Sequence, residues 1–425
     1  MKPNHVFFVA LLFINTVALA QRDSIQTELV EKRIPLTFAY QETIHSKILN
    51  QDKKINIYLP ENFYEVSSQH TYPVLLLLEN EFFQMVSGVV KHLSSVERMP
   101  ETIVVSLTDE PSIPTIYTNG SDFWPKDWKQ IKGENPDSFT KYLREELFPY
   151  LKNKYRANDF KMIMGLSGTS IYTLHTFVKE PDLFNAYIAI AAGDILGMGY
   201  NEGESYIDLI VDSLNRTPQR KGFLYITSAD SDGGGNSPMI KANLEELEDR
   251  LSSYRTEDFH FISKIFPNEG HYDVALPALE EALAMIFPRE KWFAKYSEII
   301  KLPGSAMKNL DDYYLRLSGE YGVKVLPRAE RWNSINRLSW VGPFLLRQGN
   351  NEEAIEINQR WVGYCPKSTT ALSELAKAYE ANGELNKAIS VLEKAQDMTS
   401  DINEEESRSY KVRITLLKEK KLKRN

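Results

Sequence analysis

Between about residue 34 and residue 288, short apolar runs alternate with stretches whose apolar positions recur at helical spacing. The strand-like runs are 54–59, 73–78, 102–107, 160–164, 186–191, 222–228 and 260–266. Several, such as VLLLL at 74–78 and AYIAIA at 186–191, are apolar without a break. Unbroken runs suit strands covered on both faces. Helical spacing covers 82–93, 137–155, 168–179, 237–251 and 276–287. This alternation predicts βαβ units, hence a mostly parallel sheet flanked by helices. Ligands of such sheets bind beyond the carboxyl ends of the strands.

After Trp292 the strand pattern stops, and residues 294–425 read as helix throughout. Two stretches repeat there, LLRQGNNEEAIEINQRW from Leu345 and AYEANGELNKAISVLEK from Ala378. Gly349 and Gly383, Ala354 and Ala388, and Ile355 and Ile389 are each 34 residues apart. That period, with Gly in the turn and a small residue at the helix contact, is the tetratricopeptide signature. Two repeats fall short of the roughly three needed to stand alone. The array is therefore expected to pack on the preceding domain or to borrow helices from 305–321 and 404–418. Its plain reading is a stabilising cap. A groove for a protein partner is the functional alternative, although no aromatic or Asn-rich concave face is legible.

The first twenty residues read differently. Lys2 precedes an apolar core at 6–14, and Ala18 and Ala20 supply small residues before Gln21. This is the pattern of a secretory signal peptide, too short to span a bilayer. The expected organisation is a signal peptide at 1–20, a lead at 21–35, an α/β domain at 36–290, a helical linker at 291–334 and tetratricopeptide-like helices at 335–425. No integral membrane segment follows, and a periplasmic or secreted protein is expected. A net charge of −8 gives no footprint for nucleic acid. The single cysteine, Cys365, excludes an internal disulfide and reads as a small buried hydrophobe.

Candidate chemistry centres on FKMIMGLSGTSIYTLHTFVKE from Phe160. An apolar run, a Gly165–Leu166–Ser167 turn and a helical pattern reproduce the layout of a nucleophile elbow, with Ser167 at its apex. A serine nucleophile needs a base and oxyanion donors. Of seven histidines, His5 belongs to the signal peptide and His70 to a polar loop, while His92 and His260 fall inside expected elements and His45 reads, like them, as a structural histidine. His175 lies about 12 Å along the helix from Ser167. His271 remains, in the loop PNEGHYD after the last strand, where this layout places its base. The acid should come between them in the chain. Asp232, beyond the strand GFLYITS, is the first choice, and Asp230 is the alternative, able instead to cap the turn. A backbone carbonyl holding His271 is the third option. The oxyanion donors expected are the N–H of Gly168 and one from the loop at Glu79 and Asn80. No cluster has metal-ligand spacing, so neither metal nor cofactor is expected.

These stretches resemble the putative esterase family of α/β-hydrolases, which includes enterochelin-esterase-like proteins. They are similar to bacterial members with a tetratricopeptide extension. The resemblance is carried by HSKILNQDKKINIYLPENF from His45, YPVLLLLENEFFQMVSGVVKHL from Tyr72, MPETIVVSL from Met99, FKMIMGLSG from Phe160, KEPDLFNAYIAI from Lys179 and NEGHYDVALPALEEAL from Asn268. It implies ester hydrolysis with Ser167 as nucleophile and His271 as general base. Three positions depart from the family pattern. Leu166 and Thr169 replace a His and a Gly around the serine, Glu79–Asn80 replace Asp-Gly, and Ala191–Ala192–Gly193–Asp194 replace a Ser-Pro-Ser type sequence. A β-branched Thr169 is expected to crowd the elbow.

The expected activity is hydrolysis of a small-molecule carboxylic ester by an exported serine hydrolase. Leu166, Thr169, Tyr117 and Trp124 are the candidate pocket residues. The alternatives are a non-catalytic binding or scaffold protein on a decayed hydrolase fold, and an acyltransferase using the same residues.

Overall fold

The computed structural model describes residues 36–108, 115–116, 131–132, 136–200, 203–232, 237–330 and 334–423. The expected signal peptide and lead, and the pocket candidates Tyr117 and Trp124, lie outside the described residues. Eight strands form one sheet in the order β1-β2-β4-β3-β7-β8-β9-β10. They are β1 (Tyr40–Ser46), β2 (Gln51–Tyr58), β3 (Tyr72–Leu77), β4 (Ile103–Leu107), β7 (Ala157–Leu166), β8 (Ala186–Ile190), β9 (Gly222–Ala229) and β10 (Phe259–Phe266), with a small β5–β6 ladder (Thr115–Ile116, Ile131–Lys132) apart from it. From β4 to β10 neighbours run parallel, and β2 is antiparallel to β4. The sheet is thus the mostly parallel, helix-flanked sheet that the alternation implied, as an α/β-hydrolase fold requires.

Burial follows position. Every residue of β3, β4 and β8 is buried, because helices cover both faces of the sheet centre. The edge strand β10 alternates buried with half-buried positions. The added strand β1, YQETIHS, is polar and mostly exposed, so no apolar run announces it. Helix α1 (Phe83–Ser95) follows β3. The stretch at 137–155 is not one helix. It runs as α2 (Pro136–Tyr142), a π turn at Leu143–Leu147 and α3 (Phe148–Tyr155). Pro149 has no N–H to donate four residues back, which leaves room for the wider turn. Helix α4 (Ser170–Lys179) follows Ser167, and α5 (Tyr206–Arg216), α6 (Ser237–Leu251) and α7 (Ala275–Ile286) complete the layers.

Among the described residues after α7 every regular element is a helix, with one correction to the expected pattern. After α8 (Arg289–Trp292), α9 (Tyr296–Ile299) and α10 (Ala306–Tyr321), residues 323–330 form no helix, so the expected helical linker is interrupted. Gly322 turns left-handed at φ 67°, which ends α10, and Pro327 bars an extension. Helices α11 (Leu338–Arg347), α12 (Asn351–Tyr364), α13 (Thr369–Ala381), α14 (Leu385–Thr399) and α15 (Glu404–Leu422) then stack in sequence. Gly349 and Gly383 both turn at φ 81°, so the repeated sequence repeats its backbone. The stack is stitched to the sheet domain. Ser67 N–H donates to Tyr364 O at 2.8 Å, Lys367 Nζ to Tyr64 O at 2.9 Å, and Asn336 Nδ2 to buried Glu97 at 2.6 Å. Burial pushes the Cys365 thiol up to about 12, which leaves it an inert thiol.

Helix α4 buries nearly its whole length, His175 included. His175 Nδ1 meets Tyr200 OH at 2.6 Å, and burial lowers its pKa to about 4. The unfolded chain would hold that proton up to about pH 6.5. Between these values the unfolded state binds more protons, so stability falls as pH drops through the window. Urea unfolding of the wild type should therefore weaken more steeply from about pH 6.5 to about pH 4.5 than that of His175→Gln. Equal slopes would contradict a neutral buried imidazole.

Candidate active site

The central strand β7 delivers Ser167 to the carboxyl rim of the sheet. Ser167 has φ 55°, a left-handed backbone rare for a residue with a Cβ. Ala191, just beyond β8, and Asn268, beyond β10, share that conformation at φ 52° and φ 63°. Strained residues of this kind gather where surrounding structure fixes a site.

The local sequence explains how the turn holds. A Cβ on Gly165 would lie 2.6 Å from Thr169 O and 2.6 Å from Thr173 Oγ1, so only glycine lets α4 press this closely on β7. The expected crowding by Thr169 does not occur, since the close approach is at Gly165. Thr169 instead braces the turn. Its hydroxyl accepts from Leu166 N–H at 2.9 Å and donates to Leu166 O at 3.0 Å. Ser170 Oγ donates to Ile190 O at 2.8 Å and ties the start of α4 to β8. Leu166 and Thr169 are both buried, behind the serine.

Asp232 and His271 come together. His271 Nδ1 lies 2.6 Å from Asp232 Oδ1, and Asp232 Oδ2 accepts from Ala229 N–H at 2.9 Å. Asp232 is only 5% exposed, whereas His271 is half-buried. The hydrogen bond to Asp232 raises the His271 pKa above its ordinary value, against the opposing effect of partial burial. Asp230 does another job, accepting from Asn268 N–H at 2.8 Å. Together with Ser231 Oγ donating to Glu269 O at 2.6 Å, it laces the β9 and β10 loops.

The loops then reach back toward β7. Tyr272, beside His271, packs its ring on Phe82 at 6.1 Å, and Phe82 lies beyond the carboxyl end of β3. Strands β3 and β8 flank β7, so this contact spans the rim on which Ser167 stands. No hydrogen bond joins Ser167 Oγ to His271 among the described residues. Such contacts are often long in uncomplexed sites and tighten with substrate. Asn80 begins a 3₁₀ turn at Asn80–Phe82, with Glu79 as its N-cap.

One residue of the site escaped the residue-by-residue reading. Asp194, partly buried beyond β8, has its pKa raised chiefly by burial and then by Asp232, and it in turn favours the protonated form of His271. Its only sequence signal is its place after the apolar run AYIAI. A separate cavity of about 120 Å³, lined by Tyr72, Phe160, Trp292, Tyr321 and Cys365, lies at the opposite rim, by the amino ends of β3 and β7. It is therefore not the pocket of these residues.

Residues 46–196 match the family model named Esterase, described as "Putative esterase". This match bears out the resemblance to the putative esterase family over those residues, and the enzyme class it supports is a carboxylic-ester hydrolase. Comparison with curated protein sequences finds no match. Among solved structures, the chain is similar to an IroE-like serine hydrolase from Shewanella oneidensis, with TM-score 0.57 and 19% identity over 76% of this chain and 98% of the other. It is also similar to an uncharacterised protein from Capnocytophaga ochracea, with TM-score 0.51 and 18% identity over 89% of this chain and 99% of the other. At these identities the likeness establishes the fold.

Thr169→Val should strand a buried N–H and a buried carbonyl at Leu166 and cost about 1–3 kcal/mol in denaturant unfolding. Thr169→Ser keeps the hydroxyl and should cost clearly less. Equal losses for the two would show that the methyl, and not the hydroxyl, matters.

Proposed function

We propose that this protein is an exported serine esterase that cleaves a small-molecule carboxylic ester through an acyl-serine intermediate. The observation that carries the reading is the His271–Asp232 pair at 2.6 Å, on the same rim as a serine held at φ 55°. In this mechanism Ser167 Oγ attacks the ester carbonyl while His271 Nε2 takes its proton. Asp232 holds Nδ1–H, fixes the tautomer and stabilises the imidazolium as it forms. The N–H of Gly168 and one N–H of the 79–82 loop receive the developing oxyanion. Collapse breaks the ester C–O bond, and the imidazolium returns its proton to the departing alcohol. Water, deprotonated by the same imidazole, then releases the acid and restores Ser167.

Export rests on the residue pattern at 1–20, and among the described residues no helix is long and apolar enough to cross a membrane. The helical region is assigned a stabilising role, supported by its hydrogen bonds to Ser67, Tyr64 and Glu97.

A fluorophosphonate probe should label the wild type and leave Ser167→Ala unlabelled. Equal labelling of both would remove Ser167 from the mechanism. The pH profile tests the base. His271 must be neutral to accept a proton, so kcat/KM should fall as pH drops through its raised pKa. Asp232→Asn removes the group that raises it. The acidic limb should then move to lower pH, and kcat should fall by about 10⁴. An acidic limb that stays in place in Asp232→Asn would contradict the pairing.

A further inference from the structure

The loop after β3 carries an amide side chain at Asn80. Asn80 Oδ1 accepts two hydrogen bonds, from Asn56 Nδ2 at 2.8 Å and from Ser106 Oγ at 2.8 Å. These donors stand on different strands but form one antiparallel pair, Asn56 on β2 facing Ser106 on β4. Opposed residues of such a pair share a face of the sheet, so their side chains converge. Gln41 Nε2 donates to Asn56 Oδ1 at 3.1 Å, which sets the Asn56 amide with its NH₂ toward Asn80. Ser106 is fully buried, so its hydroxyl cannot trade Asn80 for bulk water.

The far side of the same loop is fixed as well. Phe82 lies against Tyr272, the neighbour of His271. Between these two anchors the main chain closes a 3₁₀ turn, with Phe83 N–H donating to Asn80 O and Phe82 N–H to Glu79 O at 3.2 Å. A loop tied at one end to β2 and β4, and at the other to the histidine loop, has little freedom to drift. An oxyanion donor needs this, since its N–H must meet a charge that exists only in the transition state.

We propose that Asn80 is a positioning residue. Its side-chain carbonyl, held by Asn56 and Ser106, fixes the 79–82 loop so that a backbone N–H of that loop serves the oxyanion. The proposal rests on the esterase reading given above. Asn80 touches no reacting atom through its side chain. Its effect reaches the reaction through the loop.

The test uses the full-length protein, a p-nitrophenyl ester for steady-state kinetics and a fluorophosphonate to count reactive Ser167. Asn80→Ala should lower kcat about 10–100-fold, less than the roughly 10²–10³ for losing a donor outright. KM should stay within about twofold, because a transition-state interaction is what is lost. Ser106→Ala should lower kcat in the same direction by a smaller factor. The double variant should be no slower than Asn80→Ala, because Ser106 acts through Asn80. Full phosphonate titration of each variant separates mispositioning from misfolding. Wild-type kcat in Asn80→Ala, a rise confined to KM, or additive losses in the double variant would each overturn the proposal while leaving the esterase reading intact. A wild type that neither labels nor turns over would overturn both.

Discussion

A serine with a left-handed backbone at the end of the central strand is the constraint from which the rest of the site follows. For an L-residue that conformation costs roughly 1–2 kcal/mol. Ser167 keeps it because the turn is held from three sides. Gly165 lets helix α4 close onto β7, Thr169 satisfies both backbone groups of Leu166, and Ser170 fastens the helix start to β8. Removing any one would allow the turn to relax toward an ordinary helix start, with the serine turned away from the rim.

The other groups reach that rim from strands that do not touch β7. Asp232 follows β9 and His271 follows β10, one and two strands beyond β8. Their loops are bound to each other through Asp230, Ser231 and the Asp232–His271 pair, and then to the β3 loop through Tyr272 and Phe82. The result is a ring of loops over the carboxyl ends of the parallel strands. The helical region is attached at another place, through residues 64–67 and Glu97. Attachment of the C-terminal helices and assembly of the candidate site are thus served by different parts of the sheet domain.

The sheet was largely legible because unbroken apolar runs mark strands covered on both faces. All seven runs read as strands are strands. What escaped were elements without that signature. Strand β1 is polar and edge-placed, α5 is absent from the expected elements although its apolar positions repeat at helical spacing, and the π turn depends on Pro149 inside a good helical pattern. The interruption at 323–330 was hidden by flanking helix-rich sequence, although Gly322 and Pro327 announce it. At the site, chain order and strand ends brought forward Ser167, His271 and Asp232. The pairing of Asp232 rather than Asp230 depends on how one tight loop turns, which spacing does not encode. The role of Thr169 is hidden from the sequence for a related reason. Its volume was legible, but the two hydrogen bonds made by its hydroxyl were not. The anchoring of Asn80 joins residues 24 and 26 positions away, a long-range relation that only the fold reveals.

The central claim is that Ser167, His271 and the 79–82 loop act on one substrate carbonyl. A crystal structure of the protein after reaction with an alkyl phosphonate tests it most directly. The account predicts phosphorus bonded to Ser167 Oγ, its oxygen within hydrogen-bond reach of Gly168 N–H and an N–H of the 79–82 loop, and His271 Nε2 facing the phosphonate with Nδ1 still on Asp232. Phosphonate bonded to another residue, or bonded to Ser167 with His271 turned away and the 79–82 loop remote, would contradict it.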